Sequence, residues 1–323
     1  MCTAINYKTG DHYFGRNLDL EYHYQEEVVV TPRNYRFSFR QVDAPMNCYA
    51  MIGTATVVDN YPLYYEATNE HGLCMAGLNF PGNAVYNPEN QDRDNIAPFE
   101  LIPWILSSCK NIAEAKYKLA RLNIADIPFN DNFPNTPLHW LLSYKTYSIV
   151  IEQTNEGLMI YDNPFGVLTN NPPFPYQVDH LSTFQHLSAS DPINRFAAAF
   201  DFPLFSRGMG AIGLTGDWSS PSRFVRAAFV KANSITAEYE YSSVSQFFHL
   251  LNTVAMPRGS IMVDGKPEIT LYSSCCNTDK GIYYYTTYDN SQITAVSMHN
   301  TDLTSSELHR FPHIATPSIR LVN

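Results

Sequence analysis

The sequence predicts an α+β fold in which two mainly antiparallel sheets are layered together with helices outside. Three observations carry this expectation. β-Branched and aromatic runs broken by turn residues fill the first 80 positions, helical patterns gather in the middle of the chain, and strand-like runs return at its end. No internal repeat, low-complexity tract or Pro/Gly/Ser linker interrupts the chain, so one domain over residues 1–323 is expected. Its 45% hydrophobic and 14% aromatic content is ample for a buried core.

Taken in order, CTAINY, HYFGRN, EEVVVTP, YAMIGTATVV, LYYEATN and GLCMAGLNF read as successive strands, punctuated by turn residues such as Gly10-Asp11 and Asn69-Glu70-His71-Gly72. A helical stretch follows. Pro98 suits a first helical position, Asn111 with Glu114 three residues on resembles an N-cap, and Ile112, Ala115, Leu119 and Leu122 fall on one face. Pro103, inside that stretch, should break or kink it. Strands resume at PLHWLLSY, YSIVIEQT and GLMIYDN. A helix opens at Ser220-Pro221 and runs through RFVRAAFVKAN, and VSQFFHLLNTVA forms another. TLYSSCC, GIYYYTTY and SQITAVSMH close the chain as a strand meander.

Several function classes fall away on composition. The chain carries 21 Lys+Arg against 31 Asp+Glu, net −10, with no basic run, which argues against a nucleic-acid partner because phosphate binding relies on clustered cations. No stretch approaches the roughly 20 apolar residues of a bilayer span, and no basic-then-apolar N-terminal segment marks a secretory signal. A cytoplasmic protein without a membrane partner is the expectation. The six cysteines (Cys2, Cys48, Cys74, Cys109, Cys275, Cys276) show no CxxC spacing, no HExxH is present and no acidic cluster has metal-loop spacing, so neither metal nor cofactor is expected. GMGAIG at 208–213 fits GxGxxG, but Thr215-Gly216-Asp217 and Pro221 follow where a dinucleotide site needs a helix, and it reads as a flexible loop. His12, His71, His139 and His249 could partner a cysteine nucleophile. None sits in a local signature, and His139 within PLHWLL reads as a core imidazole.

The constellation that survives begins at Cys2. Removal of Met1 would give one residue both a thiol nucleophile and a free α-amine, whose ordinary pKa of about 7.7–8.0 suits it to accept and return a proton without a histidine. Downstream, FGRNLDL places Arg16 and Asp19 within one short strand or its end. A cation at Arg16 would favour the thiolate, and Asp19 would hydrogen-bond the amine and aim it.

MCTAINY, FGRNLDLEY, NEHGLCMAGLNFPG, IPWIL, LHWLL, DNPFGVLTNNP, SRGMGAIGLTGDWSSPSRFVRAAF, SQFFHLL and YSSCCNTDKGIYYYTTYDNSQI together resemble the choloylglycine hydrolase family of N-terminal nucleophile hydrolases, which contains bile salt hydrolases and penicillin V acylases. The resemblance covers nearly the whole chain in order. It implies a four-layer αββα sandwich, a homotetramer, and an exposed N-terminal cysteine that cleaves an amide bond. Carried over by motif, the site residues are Cys2, Arg16 and Asp19, then Asn79 from AGLNF, Asn170 from VLTNNP and Arg223 from SPSRF. Asn171 departs slightly, since some relatives have serine there. Asn79 supports the bile salt branch, because penicillin V acylases tend to carry tyrosine at that place. The expected substrate is therefore a bile acid conjugated to glycine or taurine. A penicillin V acylase, or a non-catalytic binding protein of the same fold, is the alternative. A steroid calls for apolar walls, and the segments falling where the family builds its acyl site offer Leu18, Leu20, Val57 to Tyr61 (Val58 and Tyr61 above all), Phe129 and Phe133.

Overall fold

A computed structural model of the chain describes residues 1–236 and 239–323. In chain order the strands are β1 (Cys2–Thr9), β2 (Asp11–Leu20), β3 (Glu27–Thr31), β4 (Met51–Val58), β5 (Tyr61–Asn69), β6 (Leu73–Asn79), β7 (Asp94–Ile96), β8 (Leu122–Ile124), β9 (Leu138–Tyr144), β10 (Tyr147–Thr154), β11 (Gly157–Asp162), β12 (Val167–Leu168), β13 (Met262–Val263), β14 (Lys266–Pro267), β15 (Ile269–Asn277), β16 (Ile282–Thr287), β17 (Thr294–Ser297) and β18 (His309–Pro312). The helices are α1 (Leu101–Leu106), α2 (Ile112–Leu119), α3 (Phe174–Ser182), α4 (Ser220–Ala232) and α5 (Glu240–Asn252).

Two antiparallel sheets organise these elements. One runs β12-β1-β2-β15-β16-β17 and the other β11-β10-β9-β6-β5-β4-β3-β18. Helices α4 and α5 contact β1, β2 and β15, whereas α1 and α2 contact β5, β6 and β9, and β1 and β2 meet β5 and β6 between the layers. The order is therefore helix, sheet, sheet, helix. One core cluster joins Cys2, Ala4 and Phe14 of the first sheet to Ala76, Leu78 and Leu141 of the second, and continues into Phe224, Phe247 and Leu250 of α4 and α5. A second packs Trp104, Ile105 and Leu119 of α1 and α2 against Met75, Trp140 and Ile151. Each of the leucine, isoleucine, methionine and phenylalanine side chains among them, once fully buried, contributes about 1.5–3 kcal/mol of transfer free energy.

Local chemistry explains the tight corners. The β4–β5 hairpin turns on Asp59 and Asn60, both at positive φ (50° and 61°), the conformation that two-residue hairpin loops favour and that Asp and Asn tolerate. Gly15 lies where β2 presses on β15, and a Cβ there would run into the Ser274 carbonyl oxygen.

Two expectations are revised and one helix is new. Pro103 does not break its helix, because a 3-10 turn over Pro98–Glu100 precedes α1 and puts Pro103 in the first α-turn, where the missing N–H has no partner to lose. Leu122 is not on the α2 face; α2 ends at Leu119, and Leu122 opens β8, which pairs in parallel with β7. The α3 helix was not anticipated from PPFPYQVDHLS, whose apolar spacing is short and proline-rich. The four-layer sandwich itself is as expected.

Candidate active site

Strand register assembles the site. In the β1–β2 hairpin Cys2 faces Leu18 and Ala4 faces Arg16. Alternation along β2 sends Arg16, Leu18 and Leu20 to one face and Asn17 and Asp19 to the other. Arg16 accordingly reaches across to the second sheet, its Nη1 donating to the Gly77 carbonyl at 2.6 Å and the Tyr65 carbonyl at 3.0 Å. Asn17 donates to the Leu251 carbonyl of α5 at 3.0 Å.

Met1 is present in this chain and extends the hairpin by one pair. Its ammonium donates to the Asp19 carbonyl at 2.7 Å and is ion-paired with Glu268, while Asp19 N–H donates to the Met1 carbonyl at 3.0 Å. The next nitrogen, Cys2 N–H, donates to Asn170 Oδ1 at 2.7 Å. Arg223, on the buried face of α4, donates from Nη2 to the same oxygen at 2.8 Å, from Nη1 to the Cys2 carbonyl and to Thr3 Oγ1 at 2.7 Å, and from Nε to the Trp218 carbonyl at 3.0 Å. Two donors on Oδ1 orient the Asn170 amide, so that its Nδ2 points to the Asn79 carbonyl at 2.7 Å. Its backbone is held as well, by Ser220 Oγ at 2.8 Å and Gln177 Nε2 at 3.1 Å. Phe80 N–H pairs with the carbonyl of Pro137, just before β9, so the alternation of the ladder turns the N–H and C=O of Asn79 away from β9, and the carbonyl meets Asn170.

The charges are enclosed and answer one another. Arg16, Asp19 and Arg223 are each 0% exposed. Burial alone would lower the Arg16 pKa, but the Cys2 thiol, Tyr272, Glu66 and Asp19 outweigh it and the value is raised. For Arg223 burial wins and the pKa is lowered, against the pull of Asp19, Cys2 and Glu268. Burial raises the Asp19 pKa, opposed by the chain amine, Arg223 and a hydrogen bond from Thr270 Oγ1 at 2.6 Å. Arg16 Nη2 and Asp19 Oδ2 have no hydrogen-bond partner among the described residues.

A cavity of about 400 Å³ opens above Cys2, with Arg16 and Asn79 also on its wall. Leu18, Leu20, Phe129 and Phe133 line it, together with Tyr24, Thr56, Tyr64, Tyr65, Phe99 and the 132–138 loop, which sequence reading had only partly included. Val58 and Tyr61 do not line it. They face each other across the β4–β5 hairpin at its turn, and the cavity lies further back, at Thr56 and Leu63. The Tyr61 ring supports the wall from behind, 5.7 Å from both Phe99 and Phe129. Of the earlier candidates, Cys2, Arg16 and Asn79 border the cavity, while Asn170 and Arg223 touch Cys2 through hydrogen bonds. Asp19 meets Met1 through its backbone and does not touch the Cys2 nitrogen in this chain.

None of the four candidate histidines lines the cavity. His139 is a buried core group with Nε2 on the Thr169 carbonyl at 2.8 Å and Nδ1 on Glu152 at 2.9 Å. Among the described residues no group of three or more His, Cys, Asp or Glu could hold a metal ion, and no helix is long and apolar enough to cross a membrane. GMGAIG has no strand before it and holds only a short 3-10 turn over Met209–Ala211. Glu268 is a site neighbour that sequence reading missed, since a lone acid at the head of a strand carries no local signature.

Comparison with known proteins shows the family. The model of the linear amide C–N hydrolases, choloylglycine hydrolase family, matches residues 2–311. A bile salt hydrolase/transferase of Lactiplantibacillus plantarum is 53% identical over 313 residues, 97% of each chain, and one of Clostridium perfringens is 39% identical over the full length of both. Among solved structures, the C2A mutant of a conjugated bile acid hydrolase from Clostridium perfringens aligns over 100% of both chains with a TM-score of 0.91 and 37% identity. A penicillin V acylase from Agrobacterium tumefaciens covers 98% of this chain and 95% of its own at a TM-score of 0.75 and 17% identity, a likeness of fold alone.

Proposed function

This chain belongs to the choloylglycine hydrolase family and is thus a linear amide C–N hydrolase, and we propose that it cleaves the amide joining a bile acid to glycine or taurine, with residues 1–323 acting as a single catalytic domain. The observation that carries the reading is the cavity over Cys2, whose walls are mostly leucine, proline and aromatic side chains with a few polar groups such as Arg16, Asn79 and Asn135 among them, the chemistry that a rigid steroid acyl group needs.

In the proposed mechanism Met1 is removed and the Cys2 α-amine takes the proton of its own thiol. The thiolate attacks the amide carbon, and Arg16 and Arg223 lend positive potential to it. The oxyanion is met by Asn79 N–H and by the second hydrogen of Asn170 Nδ2. The ammonium gives its proton to the departing amino acid, leaving a thioester on Cys2. Water, deprotonated by the same amine, then releases the free bile acid. Asp19 helps to hold the amine once Met1 no longer occupies its backbone, and Asn170 Oδ1 already holds that nitrogen from the other side.

Kinetics on glycocholate, taurocholate and penicillin V test the substrate. Both bile salts should show kcat/KM well above penicillin V, and faster cleavage of penicillin V would promote the acylase reading instead. Phe133→Ala should lower kcat/KM for steroid conjugates by a factor equivalent to about 1–3 kcal/mol, the loss of one ring's apolar contact.

The reading extends to assembly as a homotetramer. The irregular segment 184–208 exposes Ile193, Phe196 and Phe205, each at least 78% accessible, in a cluster with Phe200 and Phe202. An apolar patch of this kind on one segment calls for a protein partner. Replacing Phe196 and Phe205 by Ser should shift the sedimenting species toward monomer; an unchanged species in sedimentation velocity would remove this segment from the interface.

A further inference from the structure

Removal of Met1 leaves behind the carboxylate that held its amine. Glu268, at the head of β15, is 2% exposed, and the Met1 ammonium is its only ion-pair partner among the described residues. Enclosing a carboxylate is costly unless a cation answers it. Excision takes away that cation and creates another one residue along the chain, about 3.8 Å away at the Cα, within the swing of the two side-chain methylenes of Glu268. The new ammonium sits on β1 with Asn170 Oδ1 on one side and the space vacated by Met1, bordered by Glu268 and the Asp19 carbonyl, on the other.

The charges around it then balance. Arg16, Arg223 and the Cys2 ammonium are the enclosed cations, and Asp19, Glu66 and Glu268 are the enclosed anions, with Arg16 Nε 3.9 Å from Glu66. Asp19 and Glu21 on and just after β2 and Arg223 on α4 are the charged groups that face Glu268 besides the amine. Without Glu268 the set carries one unanswered positive charge.

Resting on the reading of Cys2 as the N-terminal nucleophile, we propose that Glu268 is a positioning residue that supplies the counter-charge for the α-ammonium of processed Cys2. When the thiol proton moves to the amine, the S–H bond breaks and an N–H bond forms, and Glu268 accepts no proton. Glu268 is paired with the chain amine and not with the thiol, and a carboxylate on the amine side favours the ammonium–thiolate pair over the neutral amine–thiol pair. Two consequences follow from removing its charge. The first deprotonation of the pair occurs at lower pH, because a negative charge is gone, and the plateau rate falls, because less of the pair is in the thiolate form.

The test uses wild type, Glu268→Gln and Glu268→Asp, each made behind a leader that a protease cuts directly before Cys2, with intact mass confirming the new N-terminus. Glu268→Gln should move the acid limb of kcat/KM for a glycine-conjugated bile salt down by about one pH unit and lower the plateau several-fold, while Glu268→Asp restores the limb toward wild type. Where turnover is too slow, the pH dependence of Cys2 alkylation by iodoacetamide reads the same ionisation and should move the same way. Superimposable limbs, or an equal shift in both variants, overturn the proposal. An inactive wild type with a confirmed Cys2 terminus would sink the nucleophile reading itself and this proposal with it.

Discussion

A chain that keeps Met1, through an N-terminal fusion that is not removed, should show no measurable turnover of conjugated bile salts, and Cys2→Ala should be equally silent with its fold intact. In the present chain the Cys2 nitrogen is a peptide nitrogen, already committed as a donor to Asn170 Oδ1. An amide nitrogen is no base near neutral pH, so the thiol has no acceptor for its proton and no acid to return one to the leaving amine. Met1 also occupies the space on the free side of that nitrogen, anchored by Asp19 and Glu268. Loss of nucleophile or base should cost about 10⁴–10⁶ in kcat. Intact mass, turnover and thermal unfolding on the same samples check the result; a blocked N-terminus with wild-type kcat would refute the self-activated nucleophile.

Asn170→Ala should lower kcat by roughly 10²–10³, the usual cost of one oxyanion donor, with a smaller effect on KM because the charge exists only in the transition state. The structure adds a reason for the upper end of that range. One amide orients three neighbours, accepting from Cys2 N and Arg223 Nη2 and donating to the Asn79 carbonyl. Alanine leaves a buried guanidinium donor and a carbonyl unpaired, about 1–3 kcal/mol of stability for each. Asn170→Asp keeps the acceptor for Cys2 and Arg223 but replaces the Nδ2 donor by a charged oxygen facing the Asn79 carbonyl, so it should lose kcat at least as heavily as alanine while keeping the Arg223 contact. Steady-state kinetics and a melting curve check both variants: a change confined to KM would place Asn170 in ground-state binding.

Much of the fold was legible because its signals are local. The first six strands lie at or within a few residues of their expected bounds, since alternation and turn residues such as Asp59-Asn60 act over a handful of positions. Pro103 misled because its effect depends on where the α-turn begins, a choice made by the 3-10 turn before it. Val58 and Tyr61 misled for a related reason. Their segment does pass the cavity, but the hairpin register decides which pair along it reaches the wall, and that pair is Thr56 and Leu63.

The sequence by itself determined the layered α+β architecture, pointed to the family by resemblance, and named the six positions proposed for the site. Only the tertiary structure decided how those six address one another. The sequence named Asn170 without its partners; the folded chain sets one hydrogen of its NH₂ on the Asn79 carbonyl and uses the amide oxygen to gather Cys2 and Arg223. Glu268 reached the site only in three dimensions, 267 residues from the amine it meets, as Arg223 lies 221 residues from Cys2. Periodicity and turn propensity act between near neighbours in the chain, whereas a buried charge is paired by whichever opposite charge the sheet registers and helix docking bring to it, at a desolvation cost that no short motif records.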